Sequence, residues 1–108
     1  MILIVCRFLI PKGYRGMAVF PFVILRHADD AETALLINHE KIHIRQQLEM
    51  LVVPFFVWYF AEYLYRLIQF HSHAAAYKNI SFEREAYANE KSPDYLKSRP
   101  FWRFIKYF

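Results

Sequence analysis

The stretch DDAETALLINHEKIHIRQQLEML, residues 29–51, decides how this chain folds. Asp29-Asp-Ala-Glu32 opens it with an acidic first turn, Asp29 as cap and Glu32 three residues on. The spacing predicts a helix to about Leu51, with Ile37, Ile44, Leu48 and Leu51 along one stripe and Leu35 and Ile42 nearly opposite. Apolar residues on two sides imply a central helix rather than a surface one. Residues 39–43 read His-Glu-Lys-Ile-His. On a helix His39 and His43 stand one turn apart on a face distinct from the Ile37/Ile44/Leu48 stripe. That face continues into Gln46 and Gln47, so it looks toward a polar cleft.

Upstream, residues 2–10 and 17–26 are two apolar, β-leaning segments separated by the turn-rich Pro11-Lys-Gly-Tyr-Arg-Gly16, which predicts a hairpin or strand pair. Downstream, Pro54 is expected to end or kink the central helix, and residues 55–70 read as a second, very apolar helix. His71 to Asn79 reads as a polar, Ala-containing connection. Ser81 is the expected cap of a third helix from Phe82 to about Lys91, and Ser92-Pro93 stops it. The expected fold is α+β and mainly helical, one domain over residues 1–108.

Composition narrows the class. The chain has 108 residues, 56% hydrophobic and 19% aromatic with only 2 Gly, which excludes a disordered, collagen-like or low-complexity protein. Cys6 is the single cysteine, so there is no intrachain disulfide framework and no multi-cysteine metal site. A reducing compartment is compatible with that. The apolar N-terminus has no positive leader, Arg7 interrupts it and no small-x-small cleavage site follows, so a secretory signal is not expected. The expected location is the cytoplasm or the cytoplasmic face of the membrane.

The formal charge is +4, and all of the excess lies in Lys91–Phe108, where Lys91, Lys97, Arg99, Arg103 and Lys106 face Asp94 alone. The tail Lys97-Ser-Arg-Pro-Phe-Trp-Arg-Phe-Ile-Lys-Tyr-Phe108 interleaves cations with rings. Three readings compete for it: a terminal helix packing its aromatics on the domain, an interfacial membrane anchor, or a single-strand nucleic-acid platform. No second basic patch supports the last, so nucleic acid is not an expected partner. The block Met50–Phe70 is long enough to raise a transmembrane reading, but Pro54, Glu62, Arg66 and Gln69 lie within it. Glu62 and Arg66, four apart, pair on one helix face.

H-E-x-x-H is a metal pattern with a mechanism: His39 and His43 reach one ion, and Glu40 beside them takes a proton from a metal-activated water. With 5 His among 108 residues the pattern arises by chance in roughly one or two such sequences in a hundred. The competing reading is two surface histidines that happen to flank a glutamate. A catalytic zinc wants a third protein ligand. Phe82-Glu-Arg-Glu-Ala-Tyr87 supplies it best, because Glu83, Ala86 and Tyr87 share a face while Glu85 points away. The small Ala86 lets two ligand-bearing helices approach. Glu90, one turn further on the Glu83 face, is the reserve, and the spacing of His71 and His73 also suits a pair of imidazole ligands. The bland reading of Glu83 and Glu85 is a solvated helix face.

H-E-x-x-H followed by E-x-x-A on a later helix resembles the gluzincin type of zinc metallopeptidase, nearest to its small minigluzincin and HtpX-like members. The resemblance is specific at residues 39–43 and 83–86 and covers about 17–91 in arrangement. It implies a zincin-like fold, Zn2+ held by His39, His43 and Glu83, and Glu40 as general base. It also implies a peptide or protein substrate laid along the strand Met17–Arg26. Where E-x-x-A-D has aspartate this chain has Tyr87, so the carboxylate that orients a zinc histidine is expected to be missing; Tyr87 becomes a packing residue or a donor to an oxyanion.

A shared ion constrains topology, because His43 and Glu83 must then lie on one side of any bilayer. One crossing by residues 50–70 separates them, and two crossings need about forty apolar residues. The block is therefore expected to be a core or membrane-surface helix if the site exists, and an integral segment only if it does not. Three functions stay open: a zinc-dependent peptidase, a catalytically inactive zincin-like interaction module, and a small membrane protein in which the motif is accidental.

Overall fold

The computed structural model describes residues 1–108, the side chain of Ala31 excepted. It is α+β and mainly helical, a three-stranded sheet at the N-terminus followed by five helices. Strands β1 (Ile2–Val5), β2 (Gly16–Val19) and β3 (Phe22–Leu25) lie in the order β1-β3-β2. β1 runs parallel to β3, with Ile2 opposite Phe22, and β2 runs antiparallel to it, with Gly16 opposite Leu25. The expected strand pair between 2–10 and 17–26 is therefore only half of the arrangement. Residues 17–26 are themselves a hairpin, because Pro21 has no N–H to give to a ladder and the chain turns at Phe20-Pro21. Beyond Val5 the first segment leaves the sheet and winds into a 3-10 turn, Arg7–Leu9.

The central helix, α1, spans Ala34–Met50. Asp29 is not its cap. Ala28–Glu32 forms a separate 3-10 turn, and buried Asp30 is held by the Arg15 guanidinium at 2.7 Å. α1 is central as expected, but Leu35 and Leu48 are exposed; Asn38, His39, Glu40, His43, Gln46 and Gln47 are buried beside Ile42, Ile44 and Met50. The chain breaks at Leu51, whose φ of 62° no helix can continue, and bends by 111° into α2, Val52–Phe70. Pro54 sits in the first turn of α2, where its missing N–H has no intrahelical partner to lose. No single helix among the described residues is long and apolar enough to cross a membrane.

The expected connection 71–79 contains a helix, α3 (His73–Lys78), built on three alanines and capped by Ser72, whose Oγ accepts from Ala75 N. α4 spans Ser81–Asn89, α5 spans Tyr95–Ser98, and a 3-10 turn covers Arg103–Tyr107. Ser81 caps nothing. Its N–H and its hydroxyl both donate to the carboxylate of Glu62 on α2, which therefore serves as the cap of α4 from a distance. The other end of α4 is closed by Asn38 of α1, whose Nδ2 donates to the carbonyls of Glu90 (2.9 Å) and Ser92 (3.0 Å). The core packs Phe82 between Phe55 and Phe104, ring centroids 4.4 Å apart on each side, with Met50 and Ile80 around them. Each such aromatic pair adds about 1 kcal/mol beyond its burial. A second cluster of Ala18, Val23, Leu25 and Ile44 joins the sheet to α1. The bland reading of the tail is thus met at Phe104, while Phe101, Ile105 and Phe108 remain exposed.

Candidate metal centre

α1 and α4 bring His39, His43 and Glu83 together. Nε2 of His39 and Nε2 of His43 are 3.2 Å apart, and Oε1 of Glu83 lies 3.2 Å from the first and 3.1 Å from the second. All three residues are only 3–5% exposed. Bonds of 2.0–2.1 Å at a tetrahedral angle require ligand atoms about 3.3 Å apart. The triangle has the edges of a zinc-sized site, and no other described group of His, Cys, Asp or Glu forms one. Ala86, next on the Glu83 face, is fully buried where α4 packs on α1.

The outer hydrogen bonds decide what the triangle can hold. Gln46 Nε2 donates to Phe82 O (3.1 Å) and to Glu85 Oε1 (3.0 Å), so its amide oxygen must be the atom 2.8 Å from His43 Nδ1. His43 therefore donates from Nδ1. His39 Nδ1 lies 2.7 Å from Oε2 of Glu90, an acceptor when ionised, and it donates too. Both Nε2 lone pairs then point at each other and at a carboxylate oxygen. Only protons or a cation relieve that arrangement, and the donor set of two imidazoles and one carboxylate suits zinc. Glu83 Oε2 is engaged by the Tyr59 hydroxyl at 2.6 Å, which leaves Oε1 as its single ligand atom.

Electrostatics agree with the geometry. Burial alone would raise the Glu83 carboxyl, but the charge on His43 and hydrogen bonds with His39 and His43 outweigh it and hold Glu83 well below the usual carboxylate range. Burial would lower His43, yet the Glu83 carboxylate pushes it up to about 9. Both shifts report one buried oxygen that favours positive charge between the rings, and a divalent cation satisfies it by displacing protons. Burial, then the Glu83 charge, drives the Tyr59 phenol far up, so it stays a donor.

Glu40 lines two adjoining clefts that meet at the triangle. One, of about 540 Å³, contains His43 and Glu83 and is walled by Met17, Phe55, Tyr59 and Phe60. The other contains His39, Tyr87 and Glu90. Oε2 of Glu40 is buried without a partner, and burial, opposed by the two histidines, raises its carboxyl above the ordinary value. Gly16 at the start of β2 fits here for lack of a side chain: a Cβ would press on Ile24 O at 3.2 Å and meet the Glu40 carboxyl carbon at 3.9 Å.

The remaining expected residues fall as follows. Glu85 does point away from the triangle, and it is buried rather than solvated. Arg99 clasps it with Nε and Nη2 and reaches Glu49 with Nη1, 2.6 Å away. Glu90, the reserve ligand, instead supplies from just past the end of α4 the orienting carboxylate expected to be missing at Tyr87. Tyr87 packs its ring edge-on against His39, centroids 4.6 Å apart, with its outer part exposed. His73 is bonded through its two ring nitrogens to the Tyr14 and Tyr63 hydroxyls at the rim of the larger cleft, and His71 closes α2 in a left-handed conformation. Neither joins the triangle. Sequence reading misses Tyr59 and Asn38, and it places Gln46 on the histidine face without giving it a role. Of these only Gln46, three residues after His43 on the same helix, carries a readable signal.

No protein-family model, curated protein or solved structure matches this chain.

Proposed function

We propose that this chain is a metal-dependent hydrolase, a small zinc peptidase of gluzincin type, with His39, His43 and Glu83 as ligands and Glu40 as general base. The observation that carries the reading is the buried triangle of two imidazole Nε2 atoms and one carboxylate oxygen, with both Nδ1 atoms already donating outward. Zinc bound there would lower the pKa of a water and polarise a carbonyl oxygen. Glu40, raised by burial and with one oxygen unpartnered, takes the proton from the attacking water and returns it to the leaving amine nitrogen. Tyr59 and Glu90 hold Glu83 and His39 in their orientations.

The peptide runs along β2 rather than the whole of 17–26. Met17 and Val19 pair inward with β3, so Gly16 and Ala18 turn their backbone groups outward. Gln47 occupies part of that edge, donating to Ala18 O (2.7 Å) and accepting from Phe20 N (2.6 Å), which confines strand addition to the Gly16 end beside Glu40.

Metal analysis tests the reading. Purified wild type should carry about one zinc per chain, and His39→Ala and Glu83→Ala almost none. Equal metal in all three would sink it. Glu40→Gln should keep the metal and lose cleavage of a mixed peptide library. A catalytically retired module draws its support from a missing orienting carboxylate and from the small size of the chain; the Glu90 carboxylate on His39 Nδ1 answers the first of these.

A further inference from the structure

We propose that the outer face of α2, with the C-terminal segment along its flank, docks on a lipid surface carrying anionic headgroups. α2 is built inside out. Its buried residues are Phe55 and the charged pair Glu62 and Arg66, whereas Val53, Val57, Phe60, Leu64 and Ile68 face solvent. Their spacing of four, three, four and four puts them on one continuous stripe, roughly 22 Å long. Exposure runs from 43% at Leu64 to 74% at Ile68. A helix that served only to pack would turn this stripe inward and its ion pair outward. An apolar surface of this length marks a partner or a membrane.

The flank says which. Val57, Ala61 and Tyr65 form one wall of an open groove whose other wall is Trp102 and Phe108 of the C-terminal segment. Tyr65 and Phe108 stack, and Arg66 lies over both rings. Arg103 and Lys106 belong to the short 3-10 turn between those two groove residues, and neither makes an ion pair among the described residues. Arg99 is spent internally on Glu85 and Glu49, but Arg103 and Lys106 are not. Rings along that groove, with two cations free of ion pairs in the turn that joins them, complement an anionic headgroup layer. A second copy of the chain is the poorer occupant, because it would bring two basic segments into one interface.

The other flank of the stripe is functional. Phe56 and Phe60 also wall the cleft of Glu40 and His43. Docking therefore sets the mouth of that cleft against the lipid surface. Its substrates are then peptide segments lying on or emerging from the bilayer, a consequence that rests on the peptidase reading.

Flotation of the full chain with vesicles tests the docking without reference to activity. Wild type should float with vesicles containing about one-third phosphatidylglycerol at least tenfold more than with phosphatidylcholine alone. Val57→Gln with Ile68→Gln should cut that partition at least tenfold while metal content and helicity stay at wild type. Arg103→Gln with Lys106→Gln should lose roughly tenfold on anionic vesicles only. The proposal is overturned if wild type stays unbound, if the two α2 substitutions float equally well, or if they merely break a dimer that never bound vesicles. Glu40→Gln should float as wild type. Flotation by a chain that holds no metal keeps the docking and removes the peptidase reading, and metal-loaded protein that ignores vesicles does the reverse.

Discussion

α1 and α2 meet at Leu51 and distribute their side chains in opposite ways. α1 buries four polar residues, Asn38, Glu40, Gln46 and Gln47, around His39 and His43, whereas α2 leaves the five apolar residues of its outer stripe in solvent. Neither pattern is what stability alone selects, since buried polar groups cost free energy unless paired and exposed apolar stripes gain nothing from folding. Each inversion carries one of the two proposals: α1 gathers the proposed metal site, and α2 bears the proposed docking surface. The exceptions are equally telling, because the buried charges of α2, Glu62 and Arg66, reach beyond their own helix to α4 and the tail as well as bonding within it.

The contrast can be broken experimentally. The largest effect is expected where a buried ionic network loses its centre. Arg99→Met leaves Glu85 and Glu49 buried without their cation and should cost about 4 kcal/mol in urea unfolding. A cost under 1 kcal/mol would mean that the tail does not hold the domain together. Next, Ile42→Ala, on the fully buried side of α1, should cost about 3 kcal/mol, the ordinary penalty for a core cavity.

Glu90→Gln sharpens the site side of the comparison. Removing the acceptor charge on His39 Nδ1 should weaken zinc affinity roughly thirtyfold in a competition titration. Unchanged affinity would relegate Glu90 to packing. The smallest effect belongs to α2: Ile68→Gln, at the far end of the exposed stripe, should shift stability by under about 0.5 kcal/mol. A large loss there would show that the stripe is covered in the folded molecule.

Much of this is legible in the chain because helical periodicity is local. Residues four apart share a face whatever surrounds them, so His39 and His43 pair from spacing alone, and the same rule prefers Glu83 over Glu85. What periodicity cannot supply is which element lies beside which. Glu62 reads as an i,i+4 partner of Arg66 until α4 is seen resting on it, and Tyr59 reads as one more ring in an apolar block until its hydroxyl meets Glu83. Periodicity puts Glu90 on the right face with the wrong role, because only the docked geometry tells the Nε2 side of His39 from the Nδ1 side. Two departures from expectation do have local signals: Pro21 marks the hairpin turn inside 17–26, and three consecutive alanines after His73 favour the helix that forms there.

The Glu62 carboxylate has a practical consequence for anyone trimming or remodelling this protein. It is a clasp with one hand on the helix that bears the apolar ridge and the other two positions ahead of Glu83. Shortening, swapping or re-solubilising that ridge without keeping the clasp would let Glu83, the proposed third ligand, drift. Metal lost from the proposed site in such a redesign would then report a damaged hinge pin rather than a misassigned ligand.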